Sequence, residues 1–301
     1  MSTMLEAQPA KSTIVRSIRK TSRSPRPLVP VSVRRVFGVL SRLAPGLMAR
    51  WFDRRFLTPR RFARPRWERE VLKTAKSFHF ESGGRRLAAW RWGTEGPTAL
   101  LVHGWEGRGT QLGAFVAPLL AAGYQVVAYD GPGHGDSEGK LSSMPEKINA
   151  LHDLQTKIGP VHALVAHSAG AACGAYALSK GFQAERFVAV SPPTDLQQFA
   201  HGIGQALGLT RNVLDRMQAR IEKRFNIRWE QYRAIEIAPK MTTPLLVVHD
   251  WDDHEVPWSG GAAIVKAWPN AELQTTHGLG HRRILRHPQV VESVVAFVVG
   301  E

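Results

Sequence analysis

From residue 77 onward, short runs of apolar residues alternate with longer stretches in which apolar positions recur every three or four residues. Segments 77–80 and 86–92 flank Ser82-Gly83-Gly84, and the second alternates through Leu87, Ala89 and Arg91. This predicts a hairpin. Short apolar runs follow at 98–102, 125–129, 161–166, 186–190 and 244–249, with a weaker strand at 272–276. Between them, stretches such as 110–122 and 169–180 carry helical spacing. Nearly continuous apolar strands separated by helices predict an α/β fold, a mostly parallel sheet of about eight strands covered by helices on both faces.

Two segments break this rhythm. Between residues 190 and 244 lie about fifty residues. Here Thr210 is placed to cap a helix with an apolar stripe of Val213, Leu214, Met217, Ile221 and Phe225, ending at Asn226. A shorter helix is expected over 229–235, so 192–240 reads as a small helical insertion. At the other end, 1–30 is rich in Ser, Thr, Pro, Arg and Lys without apolar periodicity, and reads as a disordered basic tail. Residues 31–57 differ again. Val33, Val36, Phe37, Leu40 and Leu43, then Leu47, Met48, Trp51 and Phe52, recur at helical spacing among Arg34, Arg35, Arg42, Arg50, Arg54 and Arg55. Pro45 should divide this stretch into two short amphipathic helices, and 31–76 together form a basic helical arm. Its apolar stripe would pack on the body or on another subunit, or lie on an anionic membrane surface.

The 301 residues are 43% apolar, enough for a sizeable core, and no run reaches the ~18 residues of a membrane-spanning helix. The N-terminus lacks the apolar core of a secretory signal. Cys173 is the one cysteine, which excludes an internal disulfide and a thiolate-rich metal site and fits a reducing, cytoplasmic setting, with contact to the inner membrane surface as the variant. Net charge is +15, but residues 1–76 hold 19 Lys and Arg against 4 acids while 77–301 hold 21 of each. The basicity belongs to the arm, and the body gives no reason to expect nucleic-acid binding.

Ligands of such sheets bind beyond the carboxyl ends of the strands. After the run at 161–165 comes Ala166-His167-Ser168-Ala169-Gly170, a serine between small residues at a strand-to-helix turn. This is the pattern of a nucleophile elbow, with Ala166 in place of the usual glycine. Its new helix offers free N–H groups to an oxyanion. His103-Gly104-Trp105-Glu106-Gly107 follows the 98–102 strand, and the Trp105 and Ala169 N–H groups are the expected oxyanion hole. Asp130-Gly131-Pro132-Gly133-His134-Gly135-Asp136-Ser137 is a stiff turn whose His and Asp should brace the neighbouring loop. His249 to Pro257 holds four acids and two histidines, with spacing that matches no common metal-ligand pattern. Gly278-Leu279-Gly280-His281 places a histidine on a loop after the last strand.

With serine, acid and histidine in that order, residues 77–300 resemble the α/β-hydrolase superfamily, in particular its lipase, esterase and serine-aminopeptidase branch. The resemblance implies Ser168 as nucleophile, Asp253 as acid with Asp252 as runner-up, and His281 as base with His277 as alternative. It also implies a core over 77–191 and 241–301 and a lid over 192–240. The expected activity is metal- and cofactor-independent hydrolysis of a carboxylic ester or thioester of a small acyl substrate. An aminopeptidase or amidase on the same residues, or a non-catalytic binding module associated with a membrane, are the alternatives. Trp251 and Trp258, near a strand end, are candidates for the substrate pocket, while His167 and Cys173 read as packing residues. An aspartate-nucleophile relative is set aside because position 168 is serine.

Overall fold

A computed structural model describes residues 13–15 and 29–300. Most of the tail expected over 1–30 lies outside the described residues. Within it, the β-branched triplet Thr13–Val15 forms a short strand (β1), where the sequence reading placed none.

Among the described residues nine strands form one sheet in the order β1-β9-β8-β7-β6-β4-β5-β3-β2. The remaining strands are β2 (Lys76–Ser82), β3 (Arg85–Trp92), β4 (Thr98–Val102), β5 (Gln125–Tyr129), β6 (Val161–His167), β7 (Ala184–Val190), β8 (Leu245–Asp250) and β9 (Ala271–Thr276). Pairing is parallel except for the β2–β3 hairpin and the β3–β5 junction. The central strands show why an uninterrupted apolar run becomes a strand here. Leu100 and Val102 of β4, Leu164 and Ala166 of β6, and Phe187 and Ala189 of β7 enter one core layer. Their alternate neighbours Ala99, Leu101, Ala163, Val165, Val188 and Val190 enter the other. With period two, both faces must be apolar when both are covered.

The first layer is closed by α5 (Met144–Ile158), α6 (Ala169–Ser179), α9 (Ala234–Ile237) and α10 (Trp258–Ala267). The second is closed by α4 (Val116–Ala121) and α12 (Pro288–Val299), with α11 (Gly280–Arg283) at the edge of the site. The helix expected over 110–122 is split: Gly109–Phe115 is a 3-10 turn and only then does α4 begin. Gly109 accounts for the tight start, since a Cβ there would stand 2.8 Å from the Tyr129 carbonyl oxygen.

The insertion between β7 and β8 holds α7 (Leu196–Ala206), α8 (Arg211–Phe225), a 3-10 turn at Trp229–Tyr232 and α9. Val213, Leu214, Met217 and Ile221 of α8 are buried as their spacing predicts, and Asn226 ends the helix in the left-handed region at φ 51°. Thr210 stands at the N-cap, but its hydroxyl makes no capping bond.

The stripe of α8 is covered by the arm. Its helices α1 (Val31–Leu43) and α2 (Pro45–Phe56) break at Pro45 as expected, and Met48, Ala49 and Phe52 of α2 pack among Leu214, Met217 and Ile221. Arg220 of α8 reaches Asp53 of α2 at 3.3 Å. Of the α1 stripe, Phe37 packs on Trp51 and this cluster, while Val33, Val36, Leu40 and Leu43 stay in solvent. A third arm helix, α3 (Arg66–Lys73), buries Glu68, which takes two bonds from the Arg108 guanidinium and one from the Thr110 hydroxyl. Charge-assisted bonds of this kind fasten the arm to the loop after β4.

Candidate active site

Ser168 is the residue between β6 and α6, held at φ 52° and ψ −124°. A non-glycine residue there is strained and persists only because its surroundings over-determine it. Ser168 N–H donates to the Val190 carbonyl at 2.9 Å, and its own carbonyl accepts from Ala171 N–H. Small neighbours are obligatory. A Cβ on Gly170 would stand 2.5 Å from the His103 carbonyl oxygen, and one on Gly104 would stand 3.0 Å from Ser168 Cβ. The loop after β4 therefore lies directly against the serine. Among the described residues, the N–H groups of Trp105 and Ala169 donate to no backbone acceptor, as the first residue of a helix leaves its donor free.

Two neutral histidines hold that loop. His103 Nε2 accepts from Gly131 N–H at 2.8 Å, so Nδ1–H donates to the Gly104 carbonyl at 2.7 Å. His134 Nε2 accepts from Glu106 N–H, and its Nδ1–H donates to the Pro132 carbonyl. Burial, with the nearby Lys147 cation adding, pushes both imidazoles well below their usual range. Asp130 accepts from Gly109 N–H and Asp136 N–H at 2.7 Å each and pairs with Arg64 at 2.8 Å. The turn after β5 thus braces its neighbour, as its composition suggests.

Beyond β8, Asp253 Oδ2 accepts from His281 Nδ1–H at 2.7 Å, while Oδ1 accepts from the Glu255 and Val256 N–H groups at 2.9 Å. Burial works to raise the Asp253 carboxyl, but hydrogen bonds from His249, His281 and the Val256 N–H outweigh it and hold the group below the ordinary carboxylate range. Asp252 and Asp250 do other work. The first accepts from Gly278 N–H and the second from Leu279 N–H and the Thr276 hydroxyl, which shapes the loop that carries His281. His277 lies against Trp251, away from this pair. His167 Nε2–H donates to the His281 carbonyl at 2.9 Å, and burial next to His281 pushes its pKa down to about 3. It packs against the His281 ring as a neutral imidazole. The Asp253–His281 bond is formed, while among the described residues no hydrogen bond joins Ser168 Oγ to the His281 ring. Such contacts commonly close only when substrate is bound. Cys173, buried in α6 with Met144 Sδ at 3.3 Å, has its thiol pushed up to about 11 by burial. No group of three or more His, Cys, Asp or Glu is placed to hold a metal ion among the described residues.

A narrow, apolar cavity opens beside the elbow, lined by Phe56, Trp105, Met144, Lys147, Ala169 and Trp229 among others. Phe56, from the end of α2, stacks on Trp105 at 6.0 Å and on Trp229 at 6.1 Å. The structure does not bring Trp251 and Trp258 to this cavity. They pack on each other at 4.5 Å near the β8–β9 ends, with Trp251 55% exposed. Trp251 also packs near His277 and Trp258 donates to the Thr275 hydroxyl, whereas the cavity is lined by Trp105 and Ala169. Phe56, Met144 and Lys147 were missed by the sequence reading.

A mostly parallel sheet covered on both faces, with a strained serine elbow at one strand end and a carboxylate–histidine pair at two later ones, defines a hydrolytic α/β protein. The chain belongs to the alpha/beta hydrolase family, whose family model matches residues 99–294. Among solved structures it is similar to the Pyrococcus furiosus esterase Pf2001, at 20% identity over 80% of this chain and 98% of that one, with a TM-score of 0.61. Est1E of Butyrivibrio proteoclasticus, solved with ferulic acid, is similar at 19% identity over 74% and 96%, with a TM-score of 0.58. A bacterial membrane phospholipase A matches at 19% identity over 90% and 96%, with a TM-score of 0.61. At these identities the likeness is one of fold. A curated relative, the dihydrolipoyllysine-residue acetyltransferase component of the acetoin cleaving system of Pseudomonas putida, is 42% identical over 98 residues. That stretch is 31% of this chain, and the match spans about a quarter (26%) of the relative's length. No helix of the described residues is long and apolar enough to cross a membrane.

Proposed function

We propose that the chain is a serine hydrolase acting on carboxylic esters or thioesters through an acyl-enzyme. Ser168 Oγ attacks the acyl carbonyl carbon while His281 Nε2 takes its proton. Asp253 fixes the imidazole with Nδ1 protonated and stabilises the imidazolium, and the Trp105 and Ala169 N–H groups receive the oxyanion. Collapse breaks the bond to the leaving alkoxide or thiolate, which takes the proton from His281. Water, deprotonated by the same imidazole, then attacks the acyl-enzyme and releases the acid. The observation that carries this reading is the 2.7 Å Asp253–His281 bond beside the strained elbow. Among the described residues the cavity lining holds no carboxylate to anchor a substrate amine, which favours esters over an aminopeptidase. The helices of 192–240 and the end of α2 roof this cavity and act as its lid. Fluorophosphonate labelling of the full chain tests the proposal: label and ester turnover should both vanish in Ser168→Ala, turnover falling about 10⁴-fold or more. A well-folded protein that takes no label would sink it.

The exposed stripe of α1–α2 supports a second element of function, docking on an anionic membrane surface. Leu43 is 78% exposed, Leu47 67% and Val36 54%, with Arg34, Arg35, Arg42 and Arg50 along the same two helices. Apolar insertion and anionic headgroups would meet the two halves of this surface. Flotation with phosphatidylglycerol-containing vesicles should recover the full chain, phosphatidylcholine alone should not, and Leu43→Glu/Leu47→Glu should stay unbound. Equal recovery of the double variant would refute the docking.

A further inference from the structure

Among the described residues, one fully buried cation lacks a counter-charge. Lys147, in the first turns of α5, is 1% exposed and ranks among the largest fully buried side chains. Its ammonium has three donors, and the one acceptor within reach is the His103 carbonyl at 3.5 Å. Its other close neighbours are neutral: the buried imidazoles of His103 and His134 and the thiol of Cys173. No carboxylate forms an ion pair with it among the described residues, and burial lowers its pKa against the opposing pull of the Cys173 thiol. The helix end adds to the difficulty, because the positive pole of α5 disfavours a cation in its first turns. An unpaired buried charge costs several kcal/mol, and an apolar side chain of similar length would fill the same space without that cost.

Lys147 lines the cavity that also touches Trp105 and Ala169, and Ser142 lines it too. The Ser142 hydroxyl is buried and has no hydrogen-bond partner. The cavity, whose other polar lining residues are Ser143 and Tyr232, therefore touches two side chains whose donors the protein itself does not fully pair. Backbone N–H groups at Trp105 and Ala169 would hold the carbonyl oxygen at the mouth, so whatever meets Lys147 belongs to the acyl side of the substrate.

We infer that Lys147, aided by Ser142, recognises a carboxylate at the far end of the acyl group, so that the preferred substrates are half-esters or half-thioesters of dicarboxylic acids. The inference rests on the serine-hydrolase reading of Ser168. A substrate carboxylate supplies the missing acceptor and counter-charge, and the apolar walls enclose the methylenes between the two carboxyl carbons. Hydrogen bonds between two ionised groups are the strong ones, and in a water-excluded site they discriminate sharply against an analogue that leaves the buried donor unpaired.

The test compares methyl half-esters of the dicarboxylic acids from succinate to suberate with methyl esters of fatty acids of equal length, by chromatography of the released acid. Wild type should favour the best half-ester over its fatty counterpart by about 10²-fold in kcat/KM. In Lys147→Met that ratio should fall by a similar factor. A ratio unchanged in Lys147→Met, with both substrates slowed together, would make the lysine a prop for the His103 carbonyl and overturn the inference. Fatty esters preferred by wild type at every length would overturn it without recourse to a variant. Fluorophosphonate labelling of the same wild-type sample separates the layers. Labelled Ser168 without a half-ester preference defeats the assignment of Lys147 alone, whereas an unlabelled, folded chain defeats the hydrolase reading beneath it.

Discussion

Gly170→Ala places one methyl group where the elbow meets the strand beside it. Its Cβ would stand 2.5 Å from the His103 carbonyl oxygen, 2.8 Å from the Val102 carbonyl oxygen and 3.0 Å from the His103 carbonyl carbon. All three are backbone atoms, so no side chain can rotate away. Ordinary contact begins at 3.4 Å, so α6 and the end of β4 must separate by roughly 0.9 Å, an overpacking that costs about 1–3 kcal/mol. That separation acts on both proposed oxyanion donors, since Ala169 precedes the substituted residue and Trp105 lies two positions beyond His103. Misplacement on the 1 Å scale is worth about 10²-fold in rate. Urea unfolding read by tryptophan fluorescence should show the lower midpoint, and ester turnover the drop in kcat with little change in KM. Gly202→Ala in α7 is the control. A Cβ there meets nothing within 4 Å, and replacing a mid-helix glycine should stabilise by about 0.5–1 kcal/mol. If Gly170→Ala keeps wild-type stability and turnover, the close approach of α6 to β4 is not what shapes the site.

Other outcomes follow from single contacts. Asp253 is held below the ordinary carboxylate range, so the stability it contributes is full above that range and is lost as pH falls below it toward the lowered folded-state value. Asp253→Asn should therefore lower the urea midpoint at pH 7 and flatten its acid limb, and an acid limb identical to wild type would contradict the assignment. The Cys173 thiol, fully buried and raised to about 11, should resist Ellman's reagent in the native protein at pH 8 and react fully in guanidinium. Phe52→Ala should cost about 3–5 kcal/mol by opening the contact of α2 with α8, measured by the same urea series. Deleting residues 1–60 should yield insoluble protein, because Leu214, Met217 and Ile221 lose their cover, and a soluble, monomeric truncation would refute that role of the arm.

Most of the sheet was legible in the sequence because a strand buried on both faces leaves an uninterrupted apolar run. The runs at 98–102 and 125–129 became β4 and β5 with the same bounds. The elbow was legible for a different reason: few backbones tolerate a serine at φ 52°, and those that do need small neighbours. Helix α5 went unremarked although its start signal is present. Ser143 accepts from Glu146 N–H, and its hydroxyl donates to the Glu146 carboxylate. The cavity was illegible on firmer grounds. Phe56, Lys147 and Trp229 meet there from three segments far apart in the chain, and no local pattern encodes such a meeting. The choice of Trp251 and Trp258 followed closeness to a strand end, which does not say on which side of the serine a side chain falls.

Phe56 lies outside the span 99–294 that the family shares, yet its ring is wedged between Trp105 and Trp229. One wall of the cavity beside the elbow thus comes from the arm, a segment that lies before the span the family model matches. A substitution at Phe56 would reshape that wall while leaving Ser168, Asp253 and His281 unchanged in sequence. A core cut at the family boundary would lose that wall of the cavity together with the cover over Leu214, Met217 and Ile221.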